Sequence, residues 1–189
     1  MIATENHEFI IREHQISDLE IYHSWRSDYE ILKYSRLPQS HSEEESFIFL
    51  ANDIGQQKNP QRREYFLALL LKSTNSYIGS IAYIIEKREH HGGVVEIGYF
   101  LMKDYWQKGY GSRATMLLID HIFKTHPVHK IVANCDSRNR ASEGVMIKCG
   151  MKKEGHFSQD RFYDNQWFDN LHYALLKDDW EKSQTKPNS

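Results

Sequence analysis

The sequence has only two cysteines, Cys135 and Cys149, so it cannot form a disulfide-rich scaffold. Their spacing fits no zinc-site pattern, and a reducing compartment suits them. No apolar run approaches the ~20 residues that span a bilayer. The N-terminal stretch, with Glu5, His7 and Glu8, lacks the apolar core of a signal peptide. We therefore expect a cytoplasmic protein without a membrane segment.

A charge excess of either sign is missing as well. The chain of 189 residues has 24 lysine and arginine residues against 26 aspartate and glutamate residues. This balance gives no reason to expect attraction to nucleic acid or to a membrane surface. The hydrophobic fraction of 40% and the charged fraction of 26% are typical of globular proteins.

Clustered metal ligands are also missing, although the chain has eleven histidines. The most suggestive groups are His90-His91, beside Gly92-Gly93, and His126 with His129, beside Pro127. Glycine and proline mark turns here, and neither group has a carboxylate or cysteine partner at ligand spacing. We expect solvated turn histidines and no bound metal.

The order of the predicted elements indicates an α+β fold. Runs of high β-propensity predict strands at 7–12, 64–71, 77–85, 94–102, 130–135, 151–158 and 167–176. Apolar residues at helical spacing predict helices after the N-cap Ser17-Asp18, over 29–37, after the capping box Ser42/Glu45, over 113–123 and over 142–149. Three antiparallel strands precede a strand–helix–strand unit, whose two strands should be parallel neighbours. The result is a mixed, mostly antiparallel sheet of about six or seven strands flanked by helices.

No internal repeat, domain boundary or low-complexity tract divides the chain. Its length suits one domain with a sizeable core, so we predict a single domain over residues 1–189. Residues of about 7–180 should be ordered, and the polar tail 182–189, which contains Pro187, should be frayed.

The most informative stretch is a strand, a glycine loop and a helix start. Strand Glu96–Leu101 leads to the loop Trp106–Ser112, which is followed by the helical run Arg113–Phe123. Gly109 and Gly111 allow the backbone to approach a ligand without a Cβ in the way. The N–H groups of a first helical turn then point at whatever lies there, so the expected occupant is a phosphate or pyrophosphate.

Two other interpretations of this loop are a plain turn before a core helix and a dinucleotide-binding loop. Gly109, Gly111 and Ala114 satisfy the pattern G-x-G-x-x-A. However, the strand stops near Met102, well before Gly109, and Asp136 lies farther on than the expected ~20 residues. Too little chain follows to build the second half of a doubly wound sheet.

The stretch from Glu96 to Ala114 resembles the acetyl-CoA-binding segment of the GNAT superfamily of N-acetyltransferases, whose loop reads roughly Q/R-x-x-G-x-G/A. Trp106 departs from the first position of this pattern and resembles the branch that includes ribosomal-protein-alanine acetyltransferases. Residues Asn134–Ser142 and Lys148–Gly155 are similar to that branch's N-x-x-S, K-x-G-F and E-G signals, with Met151 in place of phenylalanine.

This resemblance implies a GNAT-like fold, with the parallel strand pair splayed at the cofactor site, and acetyl-CoA as the acetyl donor. The pyrophosphate would rest on the loop N–H groups and the pantetheine arm would run beside the strand. The cofactor-binding residues that it implies are Phe100, Leu101, Met102, Gln107, Lys108, Gly109, Tyr110, Gly111, Ser112, Arg113, Asn134, Asn139 and Ser142.

The resemblance also implies the catalytic residues. Glu96 matches a strand glutamate that serves as a base elsewhere in the superfamily, and it could take a proton from the amine through a water molecule. Many members place an acidic tyrosine where this chain has Met146, so the resemblance implies Ser142 near the sulfur instead. A serine hydroxyl has a high pKa, so we expect a hydrogen-bond donor or relay rather than a strong acid. Alternatives to Glu96 near the acceptor end are His156, Asp169 and His172.

The expected function is therefore acetyl transfer from acetyl-CoA to a primary amine by direct attack in a ternary complex. The acceptor would be a protein N-terminus or a small-molecule amine, and the protein a monomer or homodimer. The alternative is a catalytically weak CoA-binding regulatory module, which Met146 in place of tyrosine would suit. A nucleotide-dependent oxidoreductase is a third possibility.

Overall fold

The computed structural model describes residues 2–35, 37–87, 92–163 and 165–185. Its strands are β1 (Ile2–Glu5), β2 (Phe9–Glu13), β3 (Glu64–Leu71), β4 (Ser76–Lys87), β5 (Gly93–Leu101), β6 (Val128–Asp136), β7 (Lys152–Tyr163) and β8 (Gln166–Leu176). Its helices are α1 (Leu19–Arg26), α2 (Tyr29–Leu32), α3 (Glu43–Gln56), α4 (Tyr110–Thr125), α5 (Arg140–Lys148) and α6 (Lys177–Gln184). Short 3-10 turns cover Ile16–Asp18 and Lys103–Tyr105.

The chain forms two compact units. The first contains the residues up to Ile84 together with Gly98–Leu118, and the second contains Ile85–Ile97 and the residues from Ile119 onward. Strand β5 and helix α4 each contribute residues to both units. The single domain over 1–189 stays a prediction.

The first unit contains the antiparallel part of an eight-stranded mixed sheet, in the order β1-β2-β3-β4. Phe9 of β2 opposes Leu71 of β3, and Leu67 of β3 opposes Ile81 of β4. Residues Leu67–Leu70 of β3 and Ile78–Ile81 of β4 are buried without a break. Because successive side chains of a strand point to opposite faces, both faces of these two strands are covered. The buried set includes Phe9, Ile11, Leu67, Leu69, Ile78 and Ile81.

Helices α1 and α3 pack together in the same unit through an aromatic cluster. Tyr22, Trp25 and Leu50 are buried there, and Phe100 of β5 packs against them. Helix α3 begins at the predicted cap, since Ser42 Oγ accepts a hydrogen bond from the Glu45 N–H at 3.2 Å. The Glu45 carboxylate bonds the N–H of His41, one residue before the expected partner.

In the second unit, β5 pairs with β6 in parallel and β6 pairs with β8 in antiparallel fashion, and β7 and β8 form the closing hairpin. The parallel ladder runs from Gly93 opposite Val128 to Glu96 opposite Val132. This confirms the parallel pair that the crossover rule predicts for β5, α4 and β6. Buried residues of this unit include Ile122, Ile131, Ala133, Met146 and Leu171.

The α+β class and the mixed, mostly antiparallel sheet are confirmed, but several elements differ from the prediction. Strand β1 was not predicted, and the sheet has eight strands. The helix predicted over 29–37 is four residues long, and β2 starts two residues later than expected.

The predicted frayed tail is wrong at its start, because Lys177–Gln184 forms helix α6. Trp180 anchors this helix: its ring stacks on Phe123 and its Nε1–H donates to Asp120 Oδ1 at 2.7 Å. Outside the described residues lie the remaining tail 186–189, the histidines His90-His91, and Asp164, which falls in the turn between the strands predicted at 151–158 and 167–176.

Within the described ranges no helix combines the length and apolar character that a membrane span requires. The same ranges contain no group of three or more histidine, cysteine, aspartate or glutamate side chains placed to bind a metal ion. Of the predicted turn histidines, His129 instead lies in β6.

Asp18, predicted as the N-cap of α1, occupies that position without bonding the helix through its side chain. Its carboxylate instead forms two hydrogen bonds of 2.7 Å with Arg12 and accepts the Gln15 N–H at 2.8 Å. Burial opposes ionisation, but these hydrogen bonds and the Arg12 charge outweigh it and hold the pKa of Asp18 far below its usual range.

Asp18→Asn should lower the free energy of unfolding by about 3 kcal/mol, because it leaves the partly buried Arg12 charge without the carboxylate of the buried Asp18. Since the folded pKa lies below the unfolded one, this contribution is present above about pH 4 and is lost as the pH falls further. Urea unfolding at pH 7 and pH 3 measures both effects. Glu30→Gln, which breaks the exposed pair with Lys33, is the control and should cost less than about 0.5 kcal/mol. Equal losses in the two variants would contradict the assignment.

Candidate active site

The chain leaves β5 through a tightly bonded turn in the first unit. The Met102 N–H donates to the carbonyl of Ile78 at 2.8 Å, and the Trp106 Nε1–H donates to the carbonyl of Leu101 at 2.7 Å. Trp106 therefore fastens the start of the glycine loop to the end of β5, although its ring remains 42% exposed. This gives a structural reason for tryptophan at the position where the sequence pattern expects a smaller polar residue.

The glycine loop ends in the first turn of helix α4. Gly109 has φ of 73° and Gln107 has φ of 59°, both in the left-handed region, where glycine is the favoured residue. Helix α4 begins at Tyr110, three residues before the predicted start, and its first backbone bond runs from the Arg113 N–H to the Gly109 carbonyl at 3.3 Å. Residues Tyr110, Gly111 and Ser112 therefore form the first turn, which carries the positive end of the helix dipole.

The two predicted phosphate cations near this loop differ in their surroundings. The Arg113 guanidinium donates to both carboxylate oxygens of Glu8, at 2.7 and 2.8 Å, and contacts the carbonyl of Lys108 at 3.3 Å. The Lys108 ammonium lies 5.7 Å from the centre of the Tyr105 ring. Glu8 therefore compensates the charge of Arg113, and Lys108 is the stronger candidate for a phosphate contact.

At the end of β5, the backbone N–H and C=O groups of successive residues point alternately toward β4 and away from it. Met102 directs its N–H toward β4, and a Cβ added at Gly79 of β4 would lie 2.2 Å from the Phe100 carbonyl oxygen. Because backbone groups of successive strand residues point to opposite sides, Leu101 directs its own toward the other side. Of the three positions predicted to bond the pantetheine arm, Leu101 is therefore the one whose N–H points away from β4.

In the second unit, Glu96 and Asn134 meet across the parallel strands β5 and β6. The Asn134 side-chain NH2 donates to Glu96 Oε1 at 2.5 Å, and Arg161 of β7 donates through Nη2 to the side-chain oxygen Oδ1 of Asn134. Asn134, predicted as a cofactor ligand, thus orients the carboxylate of the predicted base. Glu96 is only partly buried, so solvent can reach this cluster.

The predicted residues of the β6–α5 connection also lie in the second unit. Asn139, predicted as a cofactor ligand, caps α5, because its Oδ1 accepts the Ser142 N–H at 3.1 Å. Ser142 is half-buried in the first turn of α5 and hydrogen-bonds the thiol of the buried Cys135. Met146, one turn later, is fully buried in the core.

Comparison with known proteins identifies the family. The sequence model of the acetyltransferase (GNAT) domain matches residues 8–152. The chain belongs to the GNAT acetyltransferase family. It is 30% identical over 171 residues to YnaD, an uncharacterized N-acetyltransferase of Bacillus subtilis, and this alignment covers 90% of the chain and 95% of YnaD.

Solved GNAT structures agree with this result. The ribosomal-protein-S5-alanine acetyltransferase of Vibrio fischeri is 25% identical, with a TM-score of 0.77 and coverage of 97% of this chain and 98% of that one. RimL, a ribosomal L7/L12 α-N-protein acetyltransferase in complex with coenzyme A, has a TM-score of 0.82 at 18% identity and shows the shared fold, with coverage of 95% and 99%. The similarity to the ribosomal-protein branch is confirmed, and the chain is an acyltransferase of the N-acetyltransferase class.

The alternative bases of this GNAT protein lie on the closing hairpin. His156 Nε2 and Asp169 Oδ2 are 2.7 Å apart, and the His172 ring packs on Phe157 with centroids 4.5 Å apart. Asp169 also accepts the Gln159 N–H at 2.9 Å. Asp169 is thus engaged in holding the shape of β7, and Glu96, His156 and His172 stay predictions for the base.

Sequence reasoning missed Arg161 as a residue of the site. It lies in β7, within the polar run Ser158–Arg161, which carries no motif. Its contact with Asn134 depends on the pairing of three strands, β6, β8 and β7. Only the order of strands in the sheet, which the family resemblance supplies, could have brought Arg161 into consideration.

Proposed function

We propose that this GNAT protein transfers an acetyl group from acetyl-CoA to a primary amine by direct attack in a ternary complex. The observation that carries the proposal is the Glu96 carboxylate, oriented by Asn134 on the strand that leads into the glycine loop. A direct transfer needs a base for the amine and a binding loop for the acyl donor. Strand β5 carries the proposed base and leads into the proposed loop.

The reaction requires one bond to form and one to break. The neutral amine nitrogen attacks the thioester carbonyl carbon, and the C–S bond then breaks to release coenzyme A. Glu96 takes the proton that the amine loses, directly or through one water molecule. The Leu101 N–H points away from β4 and would donate to the thioester oxygen, on which negative charge develops. Ser142 would give the thiolate a hydrogen bond, and with its high pKa a serine acts as a donor or relay.

For acetyl-CoA itself, we propose that the pyrophosphate lies at the first turn of α4. The left-handed Gly109 and the first-turn residues Tyr110, Gly111 and Ser112 fit an anion, because first-turn N–H groups lack carbonyl partners within their own helix. Lys108 adds a positive charge at the same loop. Leu101 would bond the pantetheine arm, and Asn134 serves this proposal as a positioning residue for Glu96.

The chemistry of the two thiols favours direct attack over a covalent acetyl-cysteine. Burial raises the pKa of Cys135 to about 11 and that of Cys149 to about 12, so both are protonated near neutral pH. A thiolate is the reactive form, and neither side chain provides it.

Cys135→Ala and Cys149→Ala should therefore each retain most of the wild-type kcat. The expected loss is in stability, about 1 kcal/mol for each buried thiol removed. Steady-state acetyl transfer, with circular dichroism to verify folding, measures both quantities. A well-folded variant that has lost turnover would overturn the direct-attack mechanism.

The acceptor is a primary amine, either of a protein N-terminus or of a small molecule. RimL is named as a ribosomal L7/L12 α-N-protein acetyltransferase and the Vibrio fischeri protein as a ribosomal-protein-S5-alanine acetyltransferase, and another neighbour is a spermidine N-acetyltransferase of Vibrio cholerae. A second candidate function is a CoA-binding regulatory module, favoured by the buried Met146 where many members have an acidic tyrosine. Turnover with any amine excludes it. The cytoplasmic location and the choice between monomer and homodimer stay predictions.

Thermal unfolding with saturating acetyl-CoA, CoA or NADH tests the donor site. A ligand present at about 100 times its Kd adds about 2.7 kcal/mol to the folded state, which for a protein of this size raises Tm by about 5–10 °C. We expect this rise with acetyl-CoA and CoA and no rise with NADH. A shift with NADH alone would replace this proposal with the oxidoreductase.

A further inference from the structure

In the second unit, the neutral side-chain amide of Asn134 lies between the carboxylate of Glu96 and the guanidinium of Arg161. The side-chain NH2 of Asn134 donates to Glu96, and its carbonyl oxygen accepts from Arg161. The three side chains lie on one face of the sheet, since Glu96 opposes Val132 and Asn134 lies two residues farther along β6. The Arg161 side chain is 19% exposed, so part of it faces solvent, and its Nε lies 3.9 Å from Asp160 Oδ2.

The position of Arg161 depends on a bulge in β7. Phe157 opposes Asn170 of β8, so an uninterrupted ladder would place Arg161 opposite Gln166. The bulge places it opposite Phe168 instead, two residues nearer along β8 to the position opposite Asn134. Bulges of this kind reorient side chains and are frequent beside active sites.

Several contacts hold the bulge in place. Gln159 has φ of 50°, an unfavourable conformation for a residue with a side chain, and its N–H donates to Asp169 Oδ1 at 2.9 Å. Asp160 accepts a hydrogen bond of 3.0 Å from the side chain of Asn170, which is 1% exposed. The strained Gln159 is thus held by Asp169, and the adjacent Asp160 is held by the buried Asn170. Backbone strain of this kind concentrates at functional sites.

We propose that the acceptor is an α-amino acid, whose amine lies at Glu96 and whose carboxylate lies at Arg161. The proposal rests on the proposed acetyl transfer and deepens it by naming the substrate class. Asn134 separates its nitrogen from its oxygen by one carbon, and an α-amino acid separates its nitrogen from its carboxylate oxygens by two carbons. The zwitterion is thus nearly as long as the amide that bridges Glu96 and Arg161, and its positive and negative ends face the groups of opposite charge. It binds alongside Asn134.

The guanidinium supplies the selectivity. Its fork of N–H donors matches a carboxylate and forms charge-assisted hydrogen bonds with it. A protein N-terminus presents a neutral amide at that point, and a polyamine presents a second positive charge that Arg161 repels. Both are expected to be poorer acceptors than a free α-amino acid.

The test compares each α-amino acid with its own methyl ester, using thiol release from acetyl-CoA by the full-length protein. The ester keeps the α-amino group and the side chain but carries a neutral group in place of the carboxylate, and its less basic amine is more often neutral. We expect at least one amino acid for which kcat/KM exceeds that of its ester by about 10- to 100-fold, the value of a hydrogen-bonded charge pair. Equal values for acid and ester across the set would overturn the proposal.

Variants at Arg161 separate substrate binding from a purely structural role. Arg161→Gln should raise KM for the amino acid by about 10- to 100-fold, leave the ester unaffected, and so abolish the discrimination. Arg161→Lys, which keeps the charge without the fork, should retain part of it. Arg140→Gln is the control, because Arg140 is an exposed arginine of the same unit that pairs with Glu143, and it should behave as wild type.

The outcomes also separate this inference from the proposed function. An equal loss for acid and ester in Arg161→Gln would mean that Arg161 only positions Asn134 and would overturn the inference. Transfer to other amines but to no amino acid would also overturn it while leaving acetyl transfer intact. A thermal shift by CoA without transfer to any amine would remove both.

Discussion

Glu96→Gln is expected to lower kcat by about 100-fold or more while leaving the Kd for acetyl-CoA unchanged. The substitution keeps the size of the side chain and a hydrogen bond to Asn134, but it removes the carboxylate that takes the proton from the amine. Glu96 lies five residues before Leu101 on β5, so the contacts proposed for the pantetheine arm do not involve its side chain.

The pH dependence of kcat/KM provides the sharper measurement for this variant, because glutamine does not titrate. The limb of the profile that reports Glu96 should disappear. Glu154→Gln is a suitable control, since Glu154 is an exposed glutamate of the same unit that pairs with Lys130. An unchanged profile for Glu96→Gln would refute its role as the base and direct attention to His156 and His172.

Gly109→Val is expected to raise the Kd for acetyl-CoA by about 5- to 30-fold with little change in kcat at saturation. The backbone at Gly109 has φ of 73°, and a residue with a Cβ loses about 1–2 kcal/mol in that conformation, with a β-branched side chain affected most. The obstacle is the backbone conformation, because the added Cβ would meet only the flexible tip of Arg113.

Gly55→Ala is the matched control for the glycine substitution. Gly55 lies inside helix α3 with nothing within 4 Å of an added Cβ, so alanine should stabilise the protein by about 0.5–1 kcal/mol without affecting acetyl-CoA. Isothermal titration with acetyl-CoA measures both variants. Wild-type affinity in a folded Gly109→Val would mean that the loop is only a turn.

The sequence predicts those parts of the fold that local chemistry determines. Ser42 caps α3, Pro127 follows the end of α4, and Gly150 takes a positive φ after α5, because each depends on one residue and its neighbours. The glycine loop is predictable for the same reason, since Gly109 must adopt a conformation that other residues avoid.

The elements that the sequence did not predict depend on distant partners. Strand β1 is defined by pairing with β2, and helix α6 by the docking of Trp180 on Phe123 and Asp120. The amphipathic pattern of α6 is weak because a single aromatic residue makes this contact.

The site shows the same division between local and distant causes. The loop residues follow one another in the chain, whereas Asn134 and Arg161 reach Glu96 only through the pairing of β5, β6, β8 and β7. The sequence places Asn134 among the cofactor ligands, but it carries no local signal that the Asn134 side chain donates a hydrogen bond to Glu96. A two-residue bulge decides the position of Arg161, and no local signal in β7 specifies it.

Direct transfer from acetyl-CoA to an amine is tested best by measuring where each acetyl group goes. Purified protein is mixed with acetyl-CoA and a set of primary amines, including amino acids, their esters, short peptides and polyamines, and released thiol and N-acetylated amine are quantified together. Direct attack predicts one thiol released for each amine acetylated and no acetyl group left on the protein. Acetyl-CoA that binds without any amine being acetylated, or an acetyl group that accumulates on the protein, would contradict it.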